Sequence, residues 1–252
     1  MPVQTICTVA DNVRLNEFAY SLTLEAGEEM TSLISCGQFV HIKCGHSRLL
    51  RRPISICDWQ DGLLRVVFEV RGDGTGWLSR RDPGDRLDVL GPLGHGFDLS
   101  GGKLLVAGGG IGVPPLLACA KAGAEVHAAL GFRDIGHQML TKEFSEACKS
   151  MSVISDDGTT GRQGYVTQLV EELLDREGGF DAVLACGPKP MLRAVAAAAA
   201  KHGVACQVSM EERMGCGVGA CLVCACQTAD GHMKHVCKDG PVFLSTEVDW
   251  YA

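Results

Sequence analysis

Short apolar runs separated by turn-forming residues dominate the first hundred positions of the chain. Such runs occur at 39–42, 66–70 and 86–90, and clusters of Asp, Gly and Pro lie between them. Short β-rich runs at nearly regular spacing are typical of a small barrel or sandwich. We therefore expect residues 1–98 to form an antiparallel β-barrel.

The periodicity changes at Gly101 and Gly102. From there, short apolar segments that suit buried strands alternate with segments of helical periodicity. The strands are expected at 103–107, 125–131, 151–155 and 180–185, and the helices at 113–122, 141–149, 166–177 and 191–202. This alternation is the pattern of βαβ units around a parallel sheet, so residues 99–208 are predicted to form a Rossmann-like α/β domain.

The periodicity stops before residues 209–252, a glycine-rich segment that holds five of the thirteen cysteines. Cys216, Cys221 and Cys224 have the spacing C-x4-C-x2-C, and Cys237 follows after twelve residues. This is the spacing of a plant-type [2Fe–2S] centre, in which four thiolates ligate two irons. Structural zinc, which prefers two closely spaced ligand pairs, and inert buried thiols are the alternatives. The spacing favours the iron–sulfur centre.

Glycines alternate with the first of these ligands, at Gly215, Gly217 and Gly219. Glycine permits tight turns and lets backbone N–H groups approach the sulfurs of a cluster. Cys226 stands two residues beyond Cys224, and we expect it to lie outside the ligand set.

Two glycine-rich loops follow predicted buried strands and precede predicted helices. Residues 108–112 read Gly-Gly-Gly-Ile-Gly, and residues 186–190 read Cys-Gly-Pro-Lys-Pro. A tight turn would explain either loop by itself. Two such loops at the carboxyl ends of parallel strands are where a dinucleotide binds, with its pyrophosphate at a helix N-terminus. Arg133 suggests a 2′-phosphate and Asp134 a free ribose hydroxyl; the residues leave this open, and we favour NAD.

The first part of the chain holds two further candidates for binding an anionic cofactor. In Arg51-Arg52-Pro53-Ile54-Ser55, Arg52 could clamp a phosphate and Ser55 could donate a hydrogen bond to a flavin, although a solvated strand edge is the simpler explanation. Residues 71–78 look like a loop that enters a helix, which also suits an anion.

Composition and charge limit the classes of protein to which the chain can belong. The 252 residues are 46% hydrophobic and 21% charged, as in globular proteins. The 23 basic and 30 acidic residues give a net charge of −7, which predicts no bulk attraction for nucleic acid or an anionic membrane. We see no signal peptide and no apolar run of membrane-spanning length, and the odd cysteine count does not suit a secreted disulfide scaffold. A cytoplasmic location is expected.

The order of the motifs resembles the ferredoxin-NADP reductase superfamily. The motifs are Arg-Pro-x-Ser at 52–55, Gly-x-Gly-Thr at 72–75, the glycine turn at 108–112 and Cys-Gly-Pro at 186–188. The segments 214–224 and 236–243 are similar to those of the electron-transfer subunits of NAD-dependent (class 1B) dihydroorotate dehydrogenase. The resemblance covers essentially the whole chain, and the cysteine segment is its most specific part.

This resemblance implies three cofactors: FAD on the barrel, NAD(H) on the α/β domain and a [2Fe–2S] cluster in the C-terminal segment. The implied FAD contacts are Arg52, Pro53, Ile54, Ser55, Val70, Arg71, Gly74 and Thr75. The implied NAD contacts are Gly109, Gly110 and Gly112 at the pyrophosphate, and Cys186 and Gly187 near the nicotinamide. The implied cluster ligands are Cys216, Cys221, Cys224 and Cys237.

The resemblance also implies a partner. In the family a separate FMN-containing catalytic subunit oxidises dihydroorotate, and electrons pass through the cluster and FAD to NAD⁺ in pyrimidine biosynthesis. A heterotetramer with two copies of each subunit is expected. The alternative within redox chemistry is the flavin and iron–sulfur subunit of a sulfide dehydrogenase or of an NADH-dependent ferredoxin:NADP oxidoreductase. A zinc-bearing nucleotide-binding regulator is the alternative from another class.

Overall fold

Six antiparallel strands close into a barrel in the first part of the chain. The computed structural model describes residues 2–45 and 49–252, and the strand order around the barrel is β1-β2-β5-β4-β3-β6. The strands are β1 (Val3–Arg14), β2 (Ala19–Glu25), β3 (Phe39–Ile42), β4 (Arg52–Gln60), β5 (Leu63–Glu69) and β6 (Arg86–Leu93). The expected antiparallel barrel is confirmed.

Cross-strand apolar pairs fill the barrel. Leu22 lies opposite Val66, and Leu24 lies opposite Leu64, all four of them with no exposed surface. Successive residues of a strand point to opposite faces, so this one alternating set supplies the interior. Burial of each such side chain contributes about 1.5–3 kcal/mol to the stability of the folded state. Two short helices, α1 (Glu28–Thr31) and α2 (Asp73–Leu78), pack on the same core.

A six-stranded sheet follows the barrel, in the order β14-β11-β10-β7-β8-β9. Its strands are β7 (Lys103–Gly109), β8 (Glu125–Phe132), β9 (Ser150–Ser155), β10 (Ala182–Cys186), β11 (Ala205–Ser209) and β14 (Val242–Leu244). All neighbouring pairs are parallel except β11 and β14. The predicted parallel α/β sheet is therefore present, with one antiparallel edge strand.

Helices cover both faces of this sheet. They are α3 (Leu117–Ala122), α4 (Thr141–Ala147), α5 (Val166–Glu177) and α6 (Lys189–Lys201). Successive residues of β7 point to opposite faces of the sheet. Leu105 packs with α5 and α6 on one face, and Leu104 packs with α3 and α4 on the other. Within the described residues, no helix is both long and apolar enough to cross a membrane.

The region predicted to be the α/β domain departs from the sequence-based expectation at a helix and at a strand. The predicted helix at 113–122 is divided into a 3-10 turn at Pro114–Leu116 and the shorter α3, because consecutive prolines cannot donate backbone hydrogen bonds. The strand β11 was not expected, since two of its five residues, Gln207 and Ser209, are polar although both are buried.

The C-terminal segment is attached to the sheet rather than separate from it. It forms a small hairpin from β12 (Ala225–Gln227) and β13 (Met233–His235), and then adds β14 to the sheet edge beside β11. Three residues are too few for a period-2 pattern, so β14 could not be read from the sequence. The domain boundaries at 98/99 and 208/209 stay predictions.

Phe243 connects this segment to the main core. Its side chain is buried with Val236 and Cys237, and its ring packs directly against Gly240. Leu244, the next residue on the same strand, points outward and is about half exposed. The two neighbours therefore offer a matched pair of substitutions on one strand.

We expect Phe243→Ala to lower the free energy of unfolding by about 3–5 kcal/mol, because it leaves a cavity in a packed core. Leu244→Ala should change it by less than about 0.5 kcal/mol. Urea unfolding of the cofactor-loaded protein measures both. Equal effects of the two substitutions would show that Phe243 does not anchor the segment.

Candidate redox site

A cleft separates the barrel from the carboxyl ends of the sheet strands; we call it the barrel–sheet cleft. Its walls come from β3, β4, β5 and α2 on the barrel side, and from the ends of β10 and β11 on the other. The lining residues are Phe39, Pro53, Ile54, Ser55, Val67, Phe68, Glu69, Arg71, Thr75, Ile111, Cys186, Ser209, Met210, Glu211, Glu212, Met214 and Pro241.

Most of the residues expected to contact FAD meet at this cleft. Pro53, Ile54, Ser55, Arg71 and Thr75 belong to its lining. Residues 53–55 and the pair Arg71 and Thr75 are separated in the sequence by about one barrel strand and a turn. The pairing of β4 with β5 brings them together. The cleft thus offers an apolar wall with hydroxyl and guanidinium donors, which suits a flavin.

Arg52, Gly74 and Val70 lie beside the cleft rather than in its lining. A Cβ atom at Gly74 would be 2.3 Å from Nε of Arg52, so the guanidinium crosses closely over this glycine. The Thr75 hydroxyl accepts N–H bonds from Arg71 at 2.9 Å and Gly72 at 3.3 Å. Thr75 therefore shapes the loop at the start of α2, while the side chain of Val70 is largely exposed.

The residues after β11 were missed by the sequence analysis. Met210, Glu211, Glu212 and Met214 cross the barrel–sheet cleft just before the first cysteine ligand. Glu211 as a residue is exposed, but its carboxyl is partly desolvated by the cleft walls, and this desolvation raises its pKa. The positive charge of Arg71 opposes the shift. The only sequence signal was a Glu-Glu pair directly after an unrecognised strand.

A second cleft, the sheet-end cleft, lies at the ends of β7 and β8 and the starts of α5 and α6. Its lining residues are Gly109, Gly110, Gly131, Phe132, Arg133, Asp156, Tyr165, Val166, Thr167, Gln168, Glu171, Pro188, Pro190, Met191 and Ala194. A groove at the carboxyl ends of parallel strands, with glycine turns and helix N-termini, fits a dinucleotide.

Two of the predicted nucleotide residues shape the wall between the clefts. A Cβ at Gly112 would lie 2.3 Å from the carbonyl oxygen of Cys186. A Cβ at Gly187 would lie 2.7 Å from Sδ of Met191 and 3.3 Å from the amide nitrogen of Gly109. The two glycine loops are therefore packed against each other, with the backbone as their contact surface.

This contact places the clefts side by side. Ile111 and Cys186 face the barrel–sheet cleft, whereas their chain neighbours Gly110 and Pro188 face the sheet-end cleft. The Cys186 thiol is buried, and burial together with the nearby Glu211 raises its pKa to about 12. It therefore stays a neutral thiol at the junction and is not a thiolate nucleophile.

The acidic residues that line the sheet-end cleft are Asp156 and Glu171. Asp134 instead accepts the backbone N–H of His137 at 3.1 Å and pairs with Nδ1 of that ring at 2.8 Å, and these bonds lower the pKa of its carboxyl. Arg133 does line the cleft. Asp156 follows β9 and was not singled out from the sequence.

The four predicted cluster ligands lie together on the cluster loop (residues 215–224) and the turn at Cys237. Backbone N–H groups point at three of these four sulfurs. Cys216 Sγ accepts from Val218, Ala220 and Cys221 at 3.4, 3.2 and 3.4 Å, Cys237 Sγ accepts from Gly219 at 3.2 Å, and Cys224 Sγ accepts from Cys237 at 3.5 Å. Such donors stabilise thiolate and cluster charge.

These contacts join the thiols into two pairs, Cys216 with Cys221 and Cys224 with Cys237. Among the described residues, no three His, Cys, Asp or Glu side chains converge on the position of one metal ion. A [2Fe–2S] cluster needs two thiolates at each iron, so the pairs fit it. At Cys216 burial favours the thiol, but the N–H donors outweigh it and lower the pKa to about 6.

The cluster loop lies between the barrel–sheet cleft and the protein surface. Cys224 and Cys237 are buried, while Cys221 is exposed. Met214, next to the loop, lines the cleft. Cys226 lies on β12, outside the two pairs. An electron carrier held here would have the cleft on one side and solvent or a partner on the other.

Comparisons with known proteins agree with this geometry. A family model described as the iron-sulfur cluster binding domain of dihydroorotate dehydrogenase B matches residues 211–249. The dihydroorotate dehydrogenase B (NAD(+)) electron transfer subunit of Caldanaerobacter subterraneus subsp. tengcongensis is 40% identical, with 95% of this chain and 96% of the relative covered. The subunit of the same name from Bacillus caldolyticus is 44% identical, with 96% of each covered.

The chain belongs to the family of dihydroorotate dehydrogenase B electron transfer subunits. The structure of an NADH-dependent reduced ferredoxin-NADP oxidoreductase, studied for flavin-based electron bifurcation, is also similar. Its TM-score is 0.88 at 32% identity, over 98% of this chain and 90% of that chain. The family resemblance and the reductase-type fold are thus confirmed, and together they support FAD, a [2Fe–2S] cluster and NAD(H) as cofactors.

We expect Cys216→Ser to lose the cluster, because this sulfur accepts three N–H bonds and is paired with Cys221. Cys226→Ser, a matched change two residues beyond a ligand, should keep full iron content. Iron and acid-labile sulfide analysis of protein purified without oxygen measures both. The reverse result would mean that the ligand set is wrong.

Proposed function

We propose that this chain is the electron-transfer subunit of an NAD-dependent dihydroorotate dehydrogenase. It carries electrons between a separate FMN-containing catalytic subunit, which oxidises dihydroorotate to orotate in pyrimidine biosynthesis, and NAD⁺. The observation that carries the proposal is the serial arrangement of three sites. The sheet-end cleft adjoins the barrel–sheet cleft at Gly112 and Cys186, and the barrel–sheet cleft adjoins the cluster loop at Met214.

The residues of each site would hold one cofactor. Ser55 on β4, Arg71 before α2 and Thr75 on α2 would hold FAD against the apolar wall of the barrel–sheet cleft, with Arg52 beside it. Gly109 and its neighbours would hold the NAD(H) pyrophosphate in the sheet-end cleft. Bound in this order, FAD would supply the exchange between two-electron hydride chemistry and the one-electron chemistry of a cluster.

The cluster loop also offers a docking surface for the catalytic subunit. Val218, Leu222 and Val223 lie on the same loop as the exposed Cys221, and these three residues are 46%, 60% and 57% exposed. Leu222 adopts a left-handed backbone conformation with φ of 60°, which is costly for a residue other than glycine. Apolar side chains held outward around a redox centre suit a partner that must approach it closely.

The assembly and its location complete the proposal. We propose a heterotetramer with two copies of each subunit, in which each cluster loop faces one catalytic subunit. The odd count of thirteen cysteines in a chain of 252 residues does not suit a secreted disulfide scaffold. This count supports action in a reducing cytoplasm.

The related electron-transfer complexes remain the alternative. The similar solved structure, at 32% identity, comes from an NADH-dependent reduced ferredoxin-NADP oxidoreductase. The curated relatives at 40–44% identity carry the dihydroorotate dehydrogenase name, and they favour the first function.

Anaerobic NADH oxidation by orotate tests the function, with and without the FMN-containing dihydroorotate subunit of the same organism. We expect turnover only when both subunits are present, since the chain has no expected site for an organic acid. If NADH bleaches the flavin but orotate is not reduced by the pair, the chain serves another electron-transfer complex. A colourless protein that contains zinc would contradict both functions.

We expect Leu222→Asp to weaken association with the catalytic subunit at least tenfold, because it places a charge in the proposed docking surface. Leu63→Asp, an equally simple change at an exposed residue at the start of β5, should leave association unchanged. Analytical ultracentrifugation of the mixed subunits measures the assembly, and NADH-dependent flavin reduction in each variant controls for folding. Normal assembly of the Leu222→Asp variant would argue against this surface.

A further inference from the structure

His41, on β3, is a fully buried histidine with no assigned partner. Its exposed fraction is 0%, and within the described part of the chain neither ring nitrogen has a hydrogen-bond partner. Burial and the neighbouring Arg51 lower the pKa of the ring to about 4. The ring is therefore neutral at pH 7, with one nitrogen as donor and the other as acceptor.

The ring of His41 faces the cluster loop. A Cβ atom at Gly217 would lie 2.9 Å from Nδ1 and 3.0 Å from Cε1 of the ring, so only glycine fits there. Gly217 also has φ of +77°, a conformation that suits glycine, and it follows the ligand Cys216 directly. The face of the imidazole beside Nδ1 is thus in contact with the backbone that wraps the cluster.

The other side of the ring is closed off from the barrel–sheet cleft. The ring of Phe39 meets His41 edge-on with 5.8 Å between centroids, and Phe39 lines the cleft whereas His41 does not. A flavin in that cleft would contact Phe39 first. The His41 ring therefore lies between Phe39 and the cluster loop, outside the cleft lining, and its two nitrogens have no protein partner there.

A buried N–H group without a hydrogen-bond partner is destabilising, so such a group normally has one. We propose that His41 donates a hydrogen bond from its ring to a sulfur of the bound [2Fe–2S] cluster and raises the reduction potential of that cluster. This inference rests on the proposed function, because it needs the cluster at Cys216, Cys221, Cys224 and Cys237. The physical reason is that reduction adds negative charge to the cluster, and a fixed N–H donor stabilises the reduced form more.

The test compares cluster potentials in His41→Phe and His41→Gln with the wild type. Phe keeps a planar ring against Phe39 but removes the donor, whereas Gln retains an N–H. Val40→Ala is the matched control, since Val40 is equally buried on the same strand but packs on Gly91 inside the barrel. EPR-monitored redox titration and iron analysis are the readouts, with the flavin titrated in parallel.

We expect His41→Phe to lower the ratio of reduced to oxidised cluster about tenfold at a fixed potential, or about 59 mV for one electron. His41→Gln should recover part of the shift, and Val40→Ala should show none. Full iron content with an unchanged cluster potential in His41→Phe would overturn the inference, as would a shift confined to the flavin.

A measurement on the wild type covers the case in which His41→Phe fails to assemble. Protein labelled with ¹⁵N-histidine should show weakly coupled histidine nitrogen in pulsed EPR of the reduced cluster. Absence of that coupling would overturn the inference while leaving the proposed function intact. A wild-type protein that holds no cluster at all would overturn the proposed function, and the inference with it.

Discussion

The backbone contact between Gly112 and Cys186 is the constraint on which the redox arrangement depends. It exists because β7 and β10 are parallel neighbours whose carboxyl ends meet at one edge of the sheet. A side chain at Gly112 would collide with a carbonyl oxygen, so the two loops can touch only through glycine. The two loops form the wall between the clefts, and this wall sets the barrel–sheet cleft beside the sheet-end cleft.

The second requirement is that the cluster loop stays against the barrel. Two contacts on opposite sides of the C-terminal segment achieve this. Phe243 fixes the segment to the sheet through β14, and the ring of His41 lies against Gly217 from the barrel side. The segment has little regular structure of its own, so its position is determined by its contacts with the barrel and the sheet. The loop is thereby held at the cleft on one side while Cys221 remains exposed on the other.

The fold was predictable where a local pattern is long enough. The helix α5 buries Val166, Leu169, Val170, Leu173 and Leu174, a helical period that is visible in the sequence. The strand β1 is less visible because only Cys7 and Val9 of its twelve residues are buried, and β14 is not visible at all. Pairing with a distant strand, rather than any local preference, makes these segments into strands.

The sequence by itself determined the chemistry of the chain. The chemistry is visible in three local features of the chain: the cysteine spacing, the glycine turns and the Arg-Pro-Ile-Ser run. Each limits which cofactor can bind, because closely spaced ligands and small residues can be arranged around a cofactor in only a few ways. Only the tertiary structure decided the neighbours of these residues. It turned Asp134 toward His137 and brought Asp156 to the sheet-end cleft, and it placed Glu211 in the barrel–sheet cleft and His41 against the cluster loop. Such contacts join residues far apart in the chain through strand order and packing, which no local pattern encodes.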